Sequence, residues 1–427
     1  MTHAVVAPSM PSYEHARAAF TWDAARADLD GLPGGGLNIC HEALDRHADG
    51  PHGDRVAVRW LAAEGGRRDI TYRQLRDDAA RFAGLLAELE VGRGERVVSL
   101  LGRVPELLVA ALGTLRHGAV FCPLYEAYGP QPVHRRLRLA RARVLVTTRE
   151  RLDHDVTPRA AGLERLQHVL LADSDLPGRL AAARPAPVAA TSDGDPALMH
   201  YTSGTTGTPM GVVHGHGAVI AQHATARAVL DVRPGDVVWC TADPGWITWT
   251  VYGLIAPLTC GATVILDEGE LDPGRWYATL ERERVGVLYT APTAIHTLMR
   301  AGDAPPAGRD LSALRLVASA GEPLTPGAVL WGERALGRPI HDTWWQTQTG
   351  AIMLANVAAE PIRLGSMGRP VPGVEAAIVR RADDGRGRRH PAAQPEILHE
   401  PDAEGELALR TGWPSMFSCY LSGDDQP

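Results

Sequence analysis

The residues best equipped for chemistry lie between Tyr201 and His214, in the run YTSGTTGTPMGVVH. From Thr202 to Thr208 every residue is Thr, Ser or Gly, so the segment offers hydroxyls and backbone N–H groups with little bulk. Such a loop is suited to wrapping an anion, and phosphate is the natural guest because small residues let it approach the backbone closely. Standing alone, the same composition also describes an ordinary turn. It is not a Walker loop, since no Gly-Lys-Ser/Thr follows at the required spacing, and it is not a GxGxxG turn. No Lys or Arg within it meets the charge of an anion.

The elements around the loop predict how it is held. ALMHY (197–201) precedes it and GAVIAQHATARAVL (217–230) reads as a helix, so a turn from strand to helix is expected. Upstream, ERVVSLL (95–101) reads as a strand, PELLVAALGTLRHG (105–118) as a helix ended by Gly, and AVFCPL (119–124) as the next strand. QPVHRRLRLARA and then RVLVTT repeat the pattern. The stretch 175–196, rich in Ala, Pro and Gly, reads as a linker. Beyond the loop the alternation resumes with ATVIL (262–266), a helix at 273–284, GVLYT (286–290), a helix near 293–300 and LRLVAS (314–319). From about 366 the texture changes to short strands such as VEAAIV and GELALR. The expected fold is α/β: two doubly wound sheets with flanking helices and a small C-terminal β-barrel-like subdomain. The expected units are 1–190, 191–365 with the phosphate loop, and 366–427.

Composition narrows the function. A chain of 427 residues with 45% hydrophobic content builds more than one core. A net charge of -7 argues against nucleic acid, and the lack of a basic amphipathic or long apolar stretch argues against a membrane. Small-molecule chemistry in the cytoplasm is the expectation. Five scattered cysteines with no Cys-x-x-Cys pair read as buried thiols. All 43 basic residues are Arg. At the surface this matters little, but a phosphate site distinguishes a movable ammonium from a rigid fork. His214 and His216 lack a clear third metal ligand. Asp267, Glu268 and Glu270 read as a solvated acidic turn, and 380–390 as a charged hairpin tip.

Several segments taken together resemble one family. YTSGTTGTPMG, DPGWITWTVYG (243–253), SAGEPL (319–324), HDTWWQTQTG (341–350), GSMGRPVPGVEAAIV (365–379) and GELALRTGWPSM (405–416) are similar, in order, to the AMP-forming acyl- and aryl-CoA synthetases, in the version found in acetyl-CoA synthetases. The resemblance covers roughly residues 60 to 421. It implies activation of a carboxylate by ATP to an acyl-adenylate, with Mg2+, followed by exchange of AMP for the thiol of CoA. It places Thr202, Ser203, Thr205 and Thr206, with Gly204 and Gly207, on the β- and γ-phosphates. Gly321, Glu322 and Pro323 match the adenine side, and Asp342, Thr343, Trp344, Gln346 and Thr347 the lining of AMP. Trp345 matches the residue closing the acyl pocket, with Trp246, Ile247, Thr248 and Ala320 as further walls. A wall of this size implies a short acid, acetate first and propionate second.

Two positions depart from the family's pattern. Its phosphate loop ends Pro-Lys-Gly, whereas this chain has Met210 at the Lys position. Its second signature carries a Mg2+-binding Glu after Thr, whereas Gln348 stands here. Both charged helpers of the pyrophosphate half are therefore neutral, and formation of the adenylate is expected to be weakened. The alternatives are an enzyme that handles an acyl-adenylate without making it, and a catalytically silent nucleotide binder. The resemblance also implies a mobile C-terminal domain beyond SCYLSGDDQP, expected on a longer chain or a separate partner protein. Asp424 is a weak match to the family's ribose-binding Asp.

Overall fold

The computed structural model describes residues 8–203, 209–302, 308–380 and 395–421. Residues 1–7, Gly204, Thr205, Thr206, Gly207 and Thr208, 303–307, most of the 380–390 stretch and Asp424 lie outside the described residues.

Two large sheets are present. In one, seven strands run in the order Cys419–Leu421, Pro209–Gly215, Pro196–Ser203, Val120–Pro123, Arg96–Leu100, Val144–Thr147 and His168–Leu171. The five strands from Pro196–Ser203 onward are mutually parallel, and the first two add antiparallel at the edge. In the other, nine strands run Arg369–Pro370, Leu354–Ala355, Ile340–Trp344, Leu316–Ser319, Val287–Thr290, Val237–Cys240, Thr263–Asp267, Val56–Leu61 and Arg67–Thr71. Its six central strands are parallel. The first sheet takes strands from both sides of residue 190, and so does the second. A three-stranded antiparallel sheet, Glu396–Leu398, Ala376–Arg380 and Glu406–Leu409, lies apart from both.

The parallel strands read in the sequence as near-continuous apolar runs because both of their faces are covered. Val144–Thr147, Val287–Thr290 and Leu316–Ser319 are buried at every position. One hydrophobic cluster joins Val58 and Leu266 of the larger sheet to Val97, Phe121 and Leu198 of the smaller, through helices Tyr72–Glu88 and Pro105–His117. Each helix is bounded by its own chemistry. Thr71 and Gln74 form a reciprocal capping box at the start of the first, and Gly118, at φ 81, closes the second.

Two expectations are corrected. The 175–196 stretch contains the helix Asp175–Ala182. Leu176 is fully buried and anchors it, Asp175 Oδ1 accepts the Leu171 N–H at 2.7 Å, and Pro177 sits in the first turn, where a helix needs no N–H donor. The phosphate loop does not lead from a strand into a helix. It joins two antiparallel strands, Pro196–Ser203 and Pro209–Gly215, and the helix starts only at Ala218. The β-branched pair Val212-Val213 favours pairing with Met199 and His200 over helical turns.

Candidate active site

In open parallel sheets, ligands bind beyond the carboxyl ends of the strands. The predicted residues fall there. Ala320 to Pro323 follow strand Leu316–Ser319, Trp345 to Gln348 follow Ile340–Trp344, and Trp246 to Thr248 follow Val237–Cys240. Ser319 and Asp342 are register partners on adjacent strands, so the adenine-side and AMP-side segments emerge side by side. Gly321, at φ 97, has open space where a side chain would stand, and Glu322 and Pro323 are exposed beside it.

The acyl side is the best-defined part. Ile247, Ala320 and Trp345 are buried in one hydrophobic cluster with Tyr252 and Tyr289, and Trp344 packs against it. Trp345 Nε1 donates to Tyr289 Oη at 2.9 Å. Tyr252 packs edge-on against both the Trp345 ring (5.2 Å) and the Tyr289 ring (5.4 Å). Two expected walls stand differently. Trp246 is 50% exposed, leaning on Tyr125 across the cleft at 5.9 Å, and Thr248 is half-buried.

On the AMP side the segments divide. Thr343 turns its hydroxyl inward, onto the Ser319 carbonyl at 2.8 Å, while Gln346 is exposed and Thr347 half-buried. Burial pushes the Asp342 carboxyl up to about 6, against the backbone N–H groups of Thr343 and Leu324, which favour its charged form. It is poised to change charge near neutrality.

The hairpin carries the residues that the resemblance assigns to the phosphates. Thr202 and Met210 are cross-strand partners, Ser203 pairs with Pro209, and His200 and His214 lie two and four residues along the same face as Thr202 and Met210. His214 Nε2 lies 2.8 Å from the Thr347 carbonyl and its Nδ1 3.0 Å from that of Ser415. The face that carries Met210 is thus the one whose His214 meets the Thr347 carbonyl, next to Gln348 in the chain. The segment after Gly412 stitches the corner. Ser415 Oγ and Trp413 Nε1 both donate to the Thr349 carbonyl, and the Phe417 N–H donates to the carbonyl of Gln348. Gly350, at φ 68, sits within this knot, and a Cβ there would lie 2.3 Å from the Ser415 carbonyl oxygen and 2.9 Å from the His214 ring.

The donors present do not fit a hard divalent cation well. Gln348 offers a neutral amide where the resemblance calls for a carboxylate, and Mg2+ prefers anionic oxygen. Among the described residues there is no group of three or more His, Cys, Asp or Glu able to hold a metal. His214 and His216 are not a metal pair, because His216 Nδ1 accepts the Ile39 N–H at 3.1 Å and His214 faces carbonyls. Asp267 is not solvated but buried and ion-paired to Arg275. Four cysteines are buried, whereas Cys419 is exposed on an edge strand. Sequence reasoning missed Tyr252, Tyr289 and the bridging role of His214. The only signal was a polar-tipped aromatic near the end of an otherwise aliphatic strand, as in GVLYT.

Comparison with known proteins agrees with this geometry. A model of the AMP-binding enzyme family matches residues 44–421. The chain is 39% identical to an acetyl-coenzyme A synthetase of Bacillus subtilis, over 98% of its own length and 72% of the relative's. It is 36% identical to one of Streptomyces avermitilis, over 92% of its length and 63% of that relative's. The chain therefore spans roughly two thirds of these relatives. Its fold superposes on a Brucella canis acyl-CoA synthetase with a TM-score of 0.84 at 32% identity, covering 96% of this chain and 74% of that one. The anthranilate CoA ligase AuaEII, solved in complex with anthranoyl-AMP, gives 0.78 at 26% identity, covering 91% and 71%. The chain belongs to the AMP-binding enzyme family. Among the described residues no helix is long and apolar enough to cross a membrane.

Proposed function

We propose that this chain binds the adenylate in an AMP-forming short-chain acyl-CoA synthetase of the cytoplasm, and that its adenylation step is weakened. In the full reaction, the carboxylate attacks the α-phosphate of ATP and pyrophosphate leaves. The thiol of CoA then takes the acyl group and AMP is released. The observation that carries the choice of substrate is Trp345, buried against Ile247 and Ala320 with its indole N–H already bonded. A filled wall at that place favours acetate, with propionate next, and each excluded methylene is worth on the order of 1 kcal/mol.

The weakening rests on Met210 and Gln348. Neither carries charge, and loss of one preorganised charge-stabilising contact typically costs roughly a hundred- to thousandfold in rate. The same pair supports a second reading, in which the site accepts a ready-made acyl-adenylate and passes its acyl group to a thiol. ATP–pyrophosphate exchange with acetate, run beside calorimetry with AMP and an acetyl sulfamoyl-adenosine mimic, tests both. Slow exchange with measurable binding of the mimic is expected. Exchange at ordinary synthetase speed would remove the impairment, and no binding of either nucleotide would remove the family chemistry from this chain. Transfer from supplied acetyl-adenylate to CoA without ATP would favour the second reading.

A further inference from the structure

We propose that Tyr289 sets the chain-length limit of the site by holding Trp345 in place, acting as a positioning residue through a directed hydrogen-bond chain. This rests on the reading of Trp345 as the end of the acyl pocket. Four groups form the chain: Trp345 Nε1, Tyr289 Oη, Thr343 Oγ1 and the carbonyl oxygen of Ser319, with successive separations of 2.9, 2.8 and 2.8 Å. Its sense is fixed by its ends. An indole N–H can only donate and a carbonyl can only accept, so Thr343 gives its proton to Ser319, Tyr289 gives its own to Thr343, and Tyr289 Oη receives that of Trp345. Each hydroxyl is used once as donor and once as acceptor.

The chain is shielded from water, with Tyr289 fully buried, Thr343 3% exposed and Trp345 9% exposed. No solvent is at hand to replace a lost partner. Tyr252 braces the same ring from the side. Its ring meets Trp345 at 88° and Tyr289 at 83°, and its Oη accepts the Ile352 N–H at 2.8 Å. The rotation of the indole is therefore restricted by a polar tie on its edge and an aromatic ring on its face. The tie ends at Ser319, the residue before Ala320, so the two sides of the acyl wall are fastened to each other.

Removing the Tyr289 hydroxyl leaves a buried indole N–H without an acceptor, a state disfavoured enough to release the ring into other rotamers. The wall then loses its fixed position, while Thr343 keeps its own bond to the Ser319 carbonyl. The test uses the full 427-residue chain and calorimetry with AMP and with acetyl, propionyl and butyryl sulfamoyl-adenosine. Three forms are compared: unaltered, Tyr289→Phe and Trp345→Gly. The expected result is a preference for the acetyl mimic over the butyryl one in the unaltered chain. Trp345→Gly should abolish this preference, and Tyr289→Phe should reduce it by roughly tenfold, with a smaller change in AMP affinity than in affinity for the butyryl mimic. An unchanged preference in Tyr289→Phe, with Trp345→Gly altered, would overturn the role of Tyr289 and leave the pocket reading standing. An unchanged preference in both would overturn the pocket reading itself. A measurement on the unaltered chain covers the case in which Tyr289→Phe does not fold. The Trp345 indole N–H, observed by NMR on tryptophan-labelled protein, should exchange with solvent far more slowly than that of exposed Trp246, and equal rates would also overturn the proposal.

Discussion

Trp345 and Met210 belong to different sheets of one site and are held in different ways. Trp345 follows the central strand Ile340–Trp344 and is tied by a hydrogen bond to Tyr289 and an aromatic contact to Tyr252. Met210 lies on a hairpin near the edge of the smaller sheet, half-buried, and reaches the rest of the cleft through His214 and the carbonyls of Thr347 and Ser415. Around Trp345, then, the indole N–H and the Tyr289 and Thr343 hydroxyls are all bonded and the rings packed, although the buried Ser319 Oγ has no partner among the described residues. At the hairpin the backbone frame is kept, while Met210 and Gln348 are neutral where the family's pattern has Lys and Glu. Binding a nucleotide ester and forming one from ATP are separable demands, and on the reading proposed above this chain meets them unequally.

The largest expected effect comes from restoring charge. The double substitution Met210→Lys with Gln348→Glu should speed ATP–pyrophosphate exchange with acetate by roughly a hundredfold or more, while leaving affinity for the acetyl mimic nearly unchanged. No gain would mean that the contrast between the two sides is not one of charge.

A second experiment attacks the knot that joins them. Gly350→Ala forces a Cβ into the Ser415 carbonyl and the His214 ring at a positive φ. A loss of roughly 2 to 4 kcal/mol in unfolding free energy is expected by denaturant titration. A shift within about 0.5 kcal/mol would show that the corner is looser than its contacts suggest.

Acid should act next. Burial pushes His214 and His216 down to about 4 and His200 to about 3, and all three stand on or beside the hairpin. Each is neutral in the fold and charges more readily in the unfolded chain, so stability is full above about pH 6.5 and falls as the pH drops toward the folded values. Each should cost about 1 to 2 kcal/mol at pH 5. Hydrogen exchange at pH 7 and pH 5 should show the hairpin losing protection before strand Leu316–Ser319, which carries no histidine, and the reverse order would break the comparison. The smallest effect is expected at Asp342. Its carboxyl is raised to about 6 by burial, so above that pH the fold holds a carboxylate at a cost in stability relative to the unfolded chain. Asp342→Asn should therefore raise the thermal midpoint at pH 8 and lose that advantage as the pH falls below 6.

Much of the scaffold was legible because local signals agreed with the final packing. The helix ended by Gly118 and the strands at 96–100, 144–147, 287–290 and 316–319 each carry their own periodicity and boundaries. Membership of the family was legible because its segments occur in order. The strand Pro209–Gly215 was hidden, because a short β-branched run beside a helical pattern gives no sign of the partner strand that stabilises it. The helix at Asp175–Ala182 was hidden by Pro177 and Gly178, whose cost is offset by the burial of Leu176. Tyr289 and Tyr252 were hidden for a different reason. Their hydroxyls find partners 54 and 27 residues away in the chain, so no window of sequence contains the pair.

The short strand Cys419–Leu421 lies directly against the phosphate-side hairpin, with Leu421 opposite Gly211 and Tyr420 opposite Val212. Gly211 is the immediate neighbour of Met210. A displacement of Leu421 would thus be delivered, across a single ladder of backbone hydrogen bonds, to the residue beside the altered position.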